Sequence, residues 1–131
     1  MKRLLLFLIT LVAALAVPSN DDARSSAEKW LSLVDSEKYA DSWTESGSQF
    51  RSHVTQEKWV EMAKSVRSPL GLLTSRSLLN VANAKSLPGA PDGDYSIVRF
   101  QSAFKNKSEA IETVVLLLEE SKLKTVGYFI K

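Results

Sequence analysis

Residues 95–130 are YSIVRFQSAFKNKSEAIETVVLLLEESKLKTVGYFI, a run of apolar and β-branched segments separated by short polar breaks. The composition predicts strands from Tyr95 to about Lys105, over Ala110–Glu119, and from Leu123 onward. Residues 72–86 read as an earlier extended segment with weaker alternation. The Asp92-Gly93 pair that precedes Tyr95 is typical of a tight hairpin, because both residue types tolerate positive φ. We therefore expect a meander of three or four antiparallel strands.

The half of the chain before this meander has helical periodicity. Four apolar residues at i, i+3, i+4 and i+7 predict a first amphipathic helix over about residues 23–36, and Tyr39 and Trp43 predict a short second one. Thr55 is the expected N-cap of a further helix. Its apolar positions are Trp59, Met62, Ala63 and Val66. Helices followed by strands predict an α+β fold, with N-terminal helices packed on a curved antiparallel sheet.

The N-terminus has the pattern of a cleavable signal peptide. Lys2 and Arg3 precede an almost wholly apolar run of 13 residues, Leu4–Ala16, which ends in a small-x-small site. A membrane span needs roughly 17–25 residues, so we expect no transmembrane helix in the mature chain. The prediction is a signal peptide over 1–16, a single domain over 17–131, and an exported protein, periplasmic or extracellular.

Charge and residue content exclude several functions. Removing the leader takes two of the 17 basic residues and none of the 15 acidic ones, which leaves the mature chain with no net charge. Nucleic-acid binding needs clustered Lys and Arg, so we expect no nucleic-acid partner. The chain has no cysteine, which excludes disulfides, thiol catalysis and lipid attachment at cysteine. His53 is the single histidine, and no metal or cofactor motif is present, so none is expected.

Several runs of residues resemble a known family. They are the helix over 27–34 with Trp43, RSPLG at 67–71, LPGAPDGDY at 87–95, ETV at 112–114 and GYFIK at 127–131. Together they resemble a bacterial exported family known as domain of unknown function 4019. Such sequences tend to have Asp-Gly and then Trp in the last hairpin, where this chain has Glu120-Ser121-Lys122-Leu123. The resemblance implies a fold similar to the cystatin-like and nuclear-transport-factor-2-like cones, a group that includes isomerases, dehydratases and non-enzymatic binders.

Four residues are candidates for a ligand site. Tyr39, Trp43 and Tyr128 combine an apolar body with a polar tip that needs a partner when buried. Glu112 lies within an apolar strand and either faces solvent or projects inward, where it must be paired. If Glu112 is buried beside Tyr39 or Tyr128, it becomes the leading general acid or base. Core packing is the competing role for the aromatic residues, which sit at regular spacings.

Three functions follow as hypotheses. The first is a non-catalytic exported module that binds a small apolar ligand or an envelope protein. The second is an acid/base enzyme of the isomerase or dehydratase type that uses Glu112 and a tyrosine. The third is a homo-oligomeric assembly domain, such as a homodimer formed through the open face or edge of the sheet.

Overall fold

A computed structural model describes residues 18–131, and the predicted signal peptide over 1–16 lies outside the described residues. The elements, in chain order, are α1 (Asn20–Asp35), α2 (Tyr39–Thr44), α3 (Ser48–His53), α4 (Gln56–Arg67), β1 (Leu73–Ala84), β2 (Tyr95–Phe104), β3 (Lys107–Glu119) and β4 (Lys122–Ile130). A short 3-10 turn, Ser68–Leu70, links α4 to the sheet. The predicted α+β class is confirmed, and the sheet has four strands.

The two longer helices begin at side-chain caps. Ser19 and Asp22 form a capping box at the start of α1, and Thr55 accepts a hydrogen bond from the backbone N–H of Lys58 at the start of α4. The buried residues of α1 are Ala23, Ala27, Trp30, Leu31 and Val34. The last four are the apolar residues whose spacing predicts this helix. The predicted inward face of α4 is partly wrong.

The buried residues of α4 are Trp59, Ala63 and Arg67, one turn apart. Met62 and Val66 were expected on the same face, but they are 46% and 48% exposed. The buried residues of α4 therefore form a narrow stripe with an i, i+4, i+8 spacing. Met62 and Val66, at i+3 and i+7, lie at the edge of this stripe.

The strands lie in the order β1-β2-β3-β4, every pair antiparallel, in a curved and unclosed sheet. One face of the sheet meets the helices and the other is open. Side chains alternate between these two faces along each strand. The helix-covered face contributes core residues from the two central strands, namely Val98, Phe100, Val114 and Leu116. This covered face also carries the polar residues of the site.

The turns differ from prediction at one point. Asp92 and Gly93 do not have positive φ, so they do not form the expected tight hairpin. The chain turns earlier, where Ala90 N–H donates to the Leu87 carbonyl and Gly89 has φ of 75°. Gly93 instead lies close to the side chain of Leu117 on β3. A Cβ at this position would be 2.7 Å from Leu117 Cδ1. A side chain at this position would require the end of the Leu117 side chain to move.

The last hairpin closes with two non-glycine residues in the left-handed region. Glu120 and Ser121 have φ of 48° and 68°, the pattern of a type I′ turn. The turn is therefore as tight as an Asp-Gly hairpin would make it. Among the helices of residues 18–131, none is long and apolar enough to cross a membrane.

Candidate functional site

Glu112 is the centre of a buried polar cluster on the covered face of the sheet. Its side chain has 0% exposure. One carboxylate oxygen, Oε1, accepts from Arg76 Nε at 2.8 Å and from Ser102 Oγ at 2.6 Å. The other oxygen, Oε2, accepts a short hydrogen bond from the Tyr128 hydroxyl. The carboxylate is thus bound on both oxygens.

Strand register explains why these side chains meet. Arg76 on β1 lies opposite Ser102 on β2, and Glu112 on β3 lies opposite Phe100, the next residue on the same face of β2. Tyr128 on β4 is paired with Val114, two residues along from Glu112. Same-face neighbours on adjacent strands are within reach of long side chains. The cluster therefore crosses all four strands.

Asp35 extends the cluster to the helices. This last residue of α1 accepts from Arg67 Nη2 at 2.8 Å and from Arg76 Nη1 and Nη2 at 2.8 and 3.0 Å. The Arg67 guanidinium also lies over the ring of Phe104, with its Cζ 4.8 Å from the ring centre. The four charged residues Asp35, Arg67, Arg76 and Glu112 carry two positive and two negative charges. We call them, together with Ser102 and Tyr128, the charged cluster.

The surroundings shift the pKa values of Asp35 and Tyr128 in opposite directions. Burial raises the pKa of Asp35, but hydrogen bonds and charge interactions with Arg76 and Arg67 outweigh it and hold that pKa below its usual value. Burial, followed by the charge and hydrogen bond of Glu112, raises the pKa of Tyr128 well above the usual 10.0. The tyrosine therefore stays protonated at neutral pH and donates to the carboxylate.

This geometry limits what Glu112 can do chemically. A general base must reach its substrate proton directly or through one water molecule. Both oxygens of Glu112 are already engaged by side chains of the protein, and its burial is complete. The arrangement is suited to joining α1, α4 and the four strands through paired charges.

The structure brings together two of the four predicted site residues, Glu112 and Tyr128. Tyr39 is buried at the start of α2, and burial raises the pKa of its phenol. Trp43 donates from Nε1 to the Val54 carbonyl at 2.7 Å and packs against the core. Within residues 18–131, no hydrogen bond joins Tyr39 or Trp43 to the Glu112–Tyr128 pair. Trp30 makes the aromatic contact with Tyr128 instead, at 5.3 Å between ring centres.

Sequence reasoning missed Asp35, Arg67, Arg76 and Ser102. One signal was present, because an acidic residue at the end of a helix opposes the helix dipole unless a cation pairs with it. Asp35 is such a residue, since it ends α1 with no basic residue in the last turn. Arg76 stands inside an extended segment, but its carboxylate partners could not be identified without the register of β1.

A separate groove runs between α1 and the start of β4. Its volume is about 990 Å³, and the end of α2 closes one side. Most of the lining is polar, with Asp22, Ser25, Ser26, Lys29, Ser32, Asp41, Thr44, Glu45, Ser121, Lys122, Lys124 and Thr125. The apolar lining residues are Pro18, Trp30, Leu33 and Leu123. None of the charged cluster lines this groove.

Residues 26–128 match the model of a family described as protein of unknown function, DUF4019. The chain belongs to the DUF4019 family. The matched range contains every member of the charged cluster, and Tyr128 is its last residue. It also contains most of the groove lining, from Ser26 to Thr125. No curated protein and no solved structure matches this DUF4019 chain.

Proposed function

We propose that this DUF4019 chain is a non-catalytic, exported binding module that holds a partner protein in the groove between α1 and β4. The observation that carries the proposal is the contrast between two places in the domain. Glu112, at the centre of the charged cluster, is fully buried and both carboxylates of the cluster are engaged by arginines, whereas the groove is large and open. A binding surface must be reachable, and the groove meets that condition.

The lining favours a polypeptide over a small apolar ligand. Pockets for small apolar molecules are lined mostly by hydrophobic and aromatic side chains. Here twelve of the sixteen lining residues are polar or charged, and the one aromatic residue, Trp30, donates its indole N–H to the Ser42 carbonyl and Ser46 Oγ. Protein surfaces offer the mixture of donors, acceptors and charges that such a lining can match.

The acid/base enzyme remains the alternative that the Glu112–Tyr128 contact motivates. It also draws on the proposed likeness to the nuclear-transport-factor-2-like cone, in which helices and a bent sheet enclose a pocket. We favour a structural role for the pair, because an active acid or base would need to exchange at least one of its partners for substrate. Fold likeness alone does not support an activity.

Export is part of the proposal and has its own test. The charged start, the apolar run of residues 4–16 and the small-x-small site at the end of that run support a cleaved leader. Fractionation of host cells and mass spectrometry of the purified chain should find it outside the cytoplasm, beginning at Val17. A chain that retains Met1 and stays in the cytoplasm would contradict this part.

Binding in the groove can be tested by photo-crosslinking in the host. A photoreactive amino acid at Ser32, an exposed groove position on α1, should give one discrete adduct with another protein. The matched control places it at Lys58, which is exposed on α4 outside the groove. Equal or absent adducts at the two positions would refute the proposed partner site.

A second candidate function is self-assembly through the open face of the sheet. Phe129 is 63% exposed and Leu79 is 46% exposed, and both lie on the sheet. Four strands about 4.8 Å apart and about 33 Å long present roughly 600 Å², so two copies would bury about 1,200 Å², at the lower end of specific interfaces. Light scattering should show a dimer that Phe129→Glu dissociates. A monomer at high concentration would remove this candidate.

A further inference from the structure

The first residues of β4 turn part of their backbone toward the groove. Glu120 and Ser121 form a two-residue turn, so Glu119 and Lys122 are the hydrogen-bonded pair that closes the hairpin. Along two antiparallel strands, opposite residues alternate. The backbone N–H and C=O groups of one opposite pair bond to each other, and those of the next pair point away from the partner strand. The N–H and C=O groups of Leu123 and Thr125 therefore point away from β3.

One contact in the structure supports this alternation. Gly47 N–H, at the junction of α2 and α3, donates to the Thr125 carbonyl at 2.8 Å. The donor reaches β4 from outside the sheet, at the residue where the pattern predicts an outward carbonyl. The outer edge of β4 thus already accepts a backbone hydrogen bond, and its next outward residue, Leu123, lies in the groove.

A side chain at the same place also lacks a partner. Within the described part of the chain, Thr125 Oγ1 is buried and makes no hydrogen bond, and Thr125 lines the groove. A buried hydroxyl without a partner is costly, so such groups are usually satisfied by protein, water or ligand. The groove lining thus includes two residues with unused hydrogen-bonding groups, the outward backbone of Leu123 and the hydroxyl of Thr125.

We propose that the groove binds an extended segment of a partner protein, which adds to β4 as a fifth strand at Leu123. This inference rests on the proposed function and specifies how the partner is held. Main-chain hydrogen bonds would supply the affinity, and Leu33 and Leu123 would contact every second side chain of the segment. Gly47 occupies the Thr125 carbonyl, so the added strand ends there and is only a few residues long.

The lining argues against the chain's own leader as the occupant. The leader would approach the groove next to Pro18, but residues 4–16 are almost wholly apolar. Their side chains would leave the serines and lysines of the groove without partners. A polar segment with an extended backbone matches the groove better.

A random heptapeptide library on phage provides the probe. The target is the chain purified in the form the host leaves it, and the most enriched peptide is synthesised. We expect this peptide to slow hydrogen exchange of the Leu123 amide at least about tenfold. The Lys124 amide, which faces β3, should exchange as before.

A matched pair of variants tests the backbone contact separately. Leu123→Pro removes the outward N–H at an edge position where proline is tolerated, and it should weaken peptide binding at least about tenfold. Leu123→Val keeps the N–H and should bind within about threefold of the wild type. Thermal melts establish that both variants fold, and if the proline variant does not, the exchange result on the wild type decides.

The outcomes separate this inference from the proposed function. A peptide that blocks the Ser32 adduct but leaves Leu123 exchange unchanged would overturn strand addition and leave the partner site standing. Failure to enrich any peptide would also overturn strand addition. Leu123 protection that rises with the concentration of the chain alone would identify a second copy as the occupant and overturn the partner assignment.

Discussion

Replacing Glu112 with glutamine should destabilise the domain more than any change to an exposed acid. The variant keeps the side-chain shape but leaves two buried guanidinium groups facing the single carboxylate of Asp35. Breaking a buried ion pair by neutralising one partner costs about 3–5 kcal/mol. This loss is a large part of the total unfolding free energy of a small domain, which is about 5–15 kcal/mol. At about 4 °C per kcal/mol, the melting temperature should fall by about 12–20 °C.

Urea unfolding followed by circular dichroism measures this loss. The control is Glu109→Gln, which neutralises an exposed acid on the same strand and should change the unfolding free energy by less than about 0.5 kcal/mol. The double variant Arg76→Met/Glu112→Gln removes one charge of each sign and leaves Asp35 paired with Arg67. It should be less destabilised than the sum of the two single variants by about 1 kcal/mol or more. A loss below about 1 kcal/mol for Glu112→Gln, or additive single variants, would refute the pairing argument.

Three further predictions concern pH and turns. The pKa of Tyr128 in the folded state lies above its unfolded value near 10, so the unfolding free energy of the wild type should fall as pH rises above about 10. In urea titrations Tyr128→Phe should have a shallower alkaline decline, and equal slopes for the two proteins would contradict this. Glu120→Asn/Ser121→Gly, which relieves two positive-φ residues, should raise the unfolding free energy by about 1 kcal/mol in the same assay, and a decrease would argue against the type I′ turn. Gly47→Ala should cost about 1–3 kcal/mol, because its Cβ would lie 2.9 Å from Val126 Cγ1, and a neutral effect would show that this junction can move.

The element order was predictable because it depends on local patterns. The i, i+3, i+4 spacing in α1 and the apolar strands after Tyr95 both report burial along a single element. The Asp92-Gly93 prediction failed because the same dipeptide suits a turn and a close approach to Leu117, and only the packed sheet distinguishes them.

The candidate site was less predictable, because it depends on register between distant elements. Glu112 and Tyr128 could be proposed as partners from residue type, yet Arg76 and Asp35 are separated from them by long stretches of chain. A slip of one residue in β1 would turn Arg76 to the open face. The groove could not be inferred at all, since its walls come from α1, α2 and β4.

The most direct test of where this domain binds compares two variants in the Ser32 photo-crosslinking assay. Ser25→Trp places a bulky side chain on the exposed α1 wall of the groove, whereas Tyr128→Phe removes one hydroxyl from the charged cluster. We predict that the tryptophan variant loses the adduct and that the phenylalanine variant keeps it at wild-type yield. Loss of the adduct in Tyr128→Phe, with retention in Ser25→Trp, would contradict the account and move the functional site to Glu112.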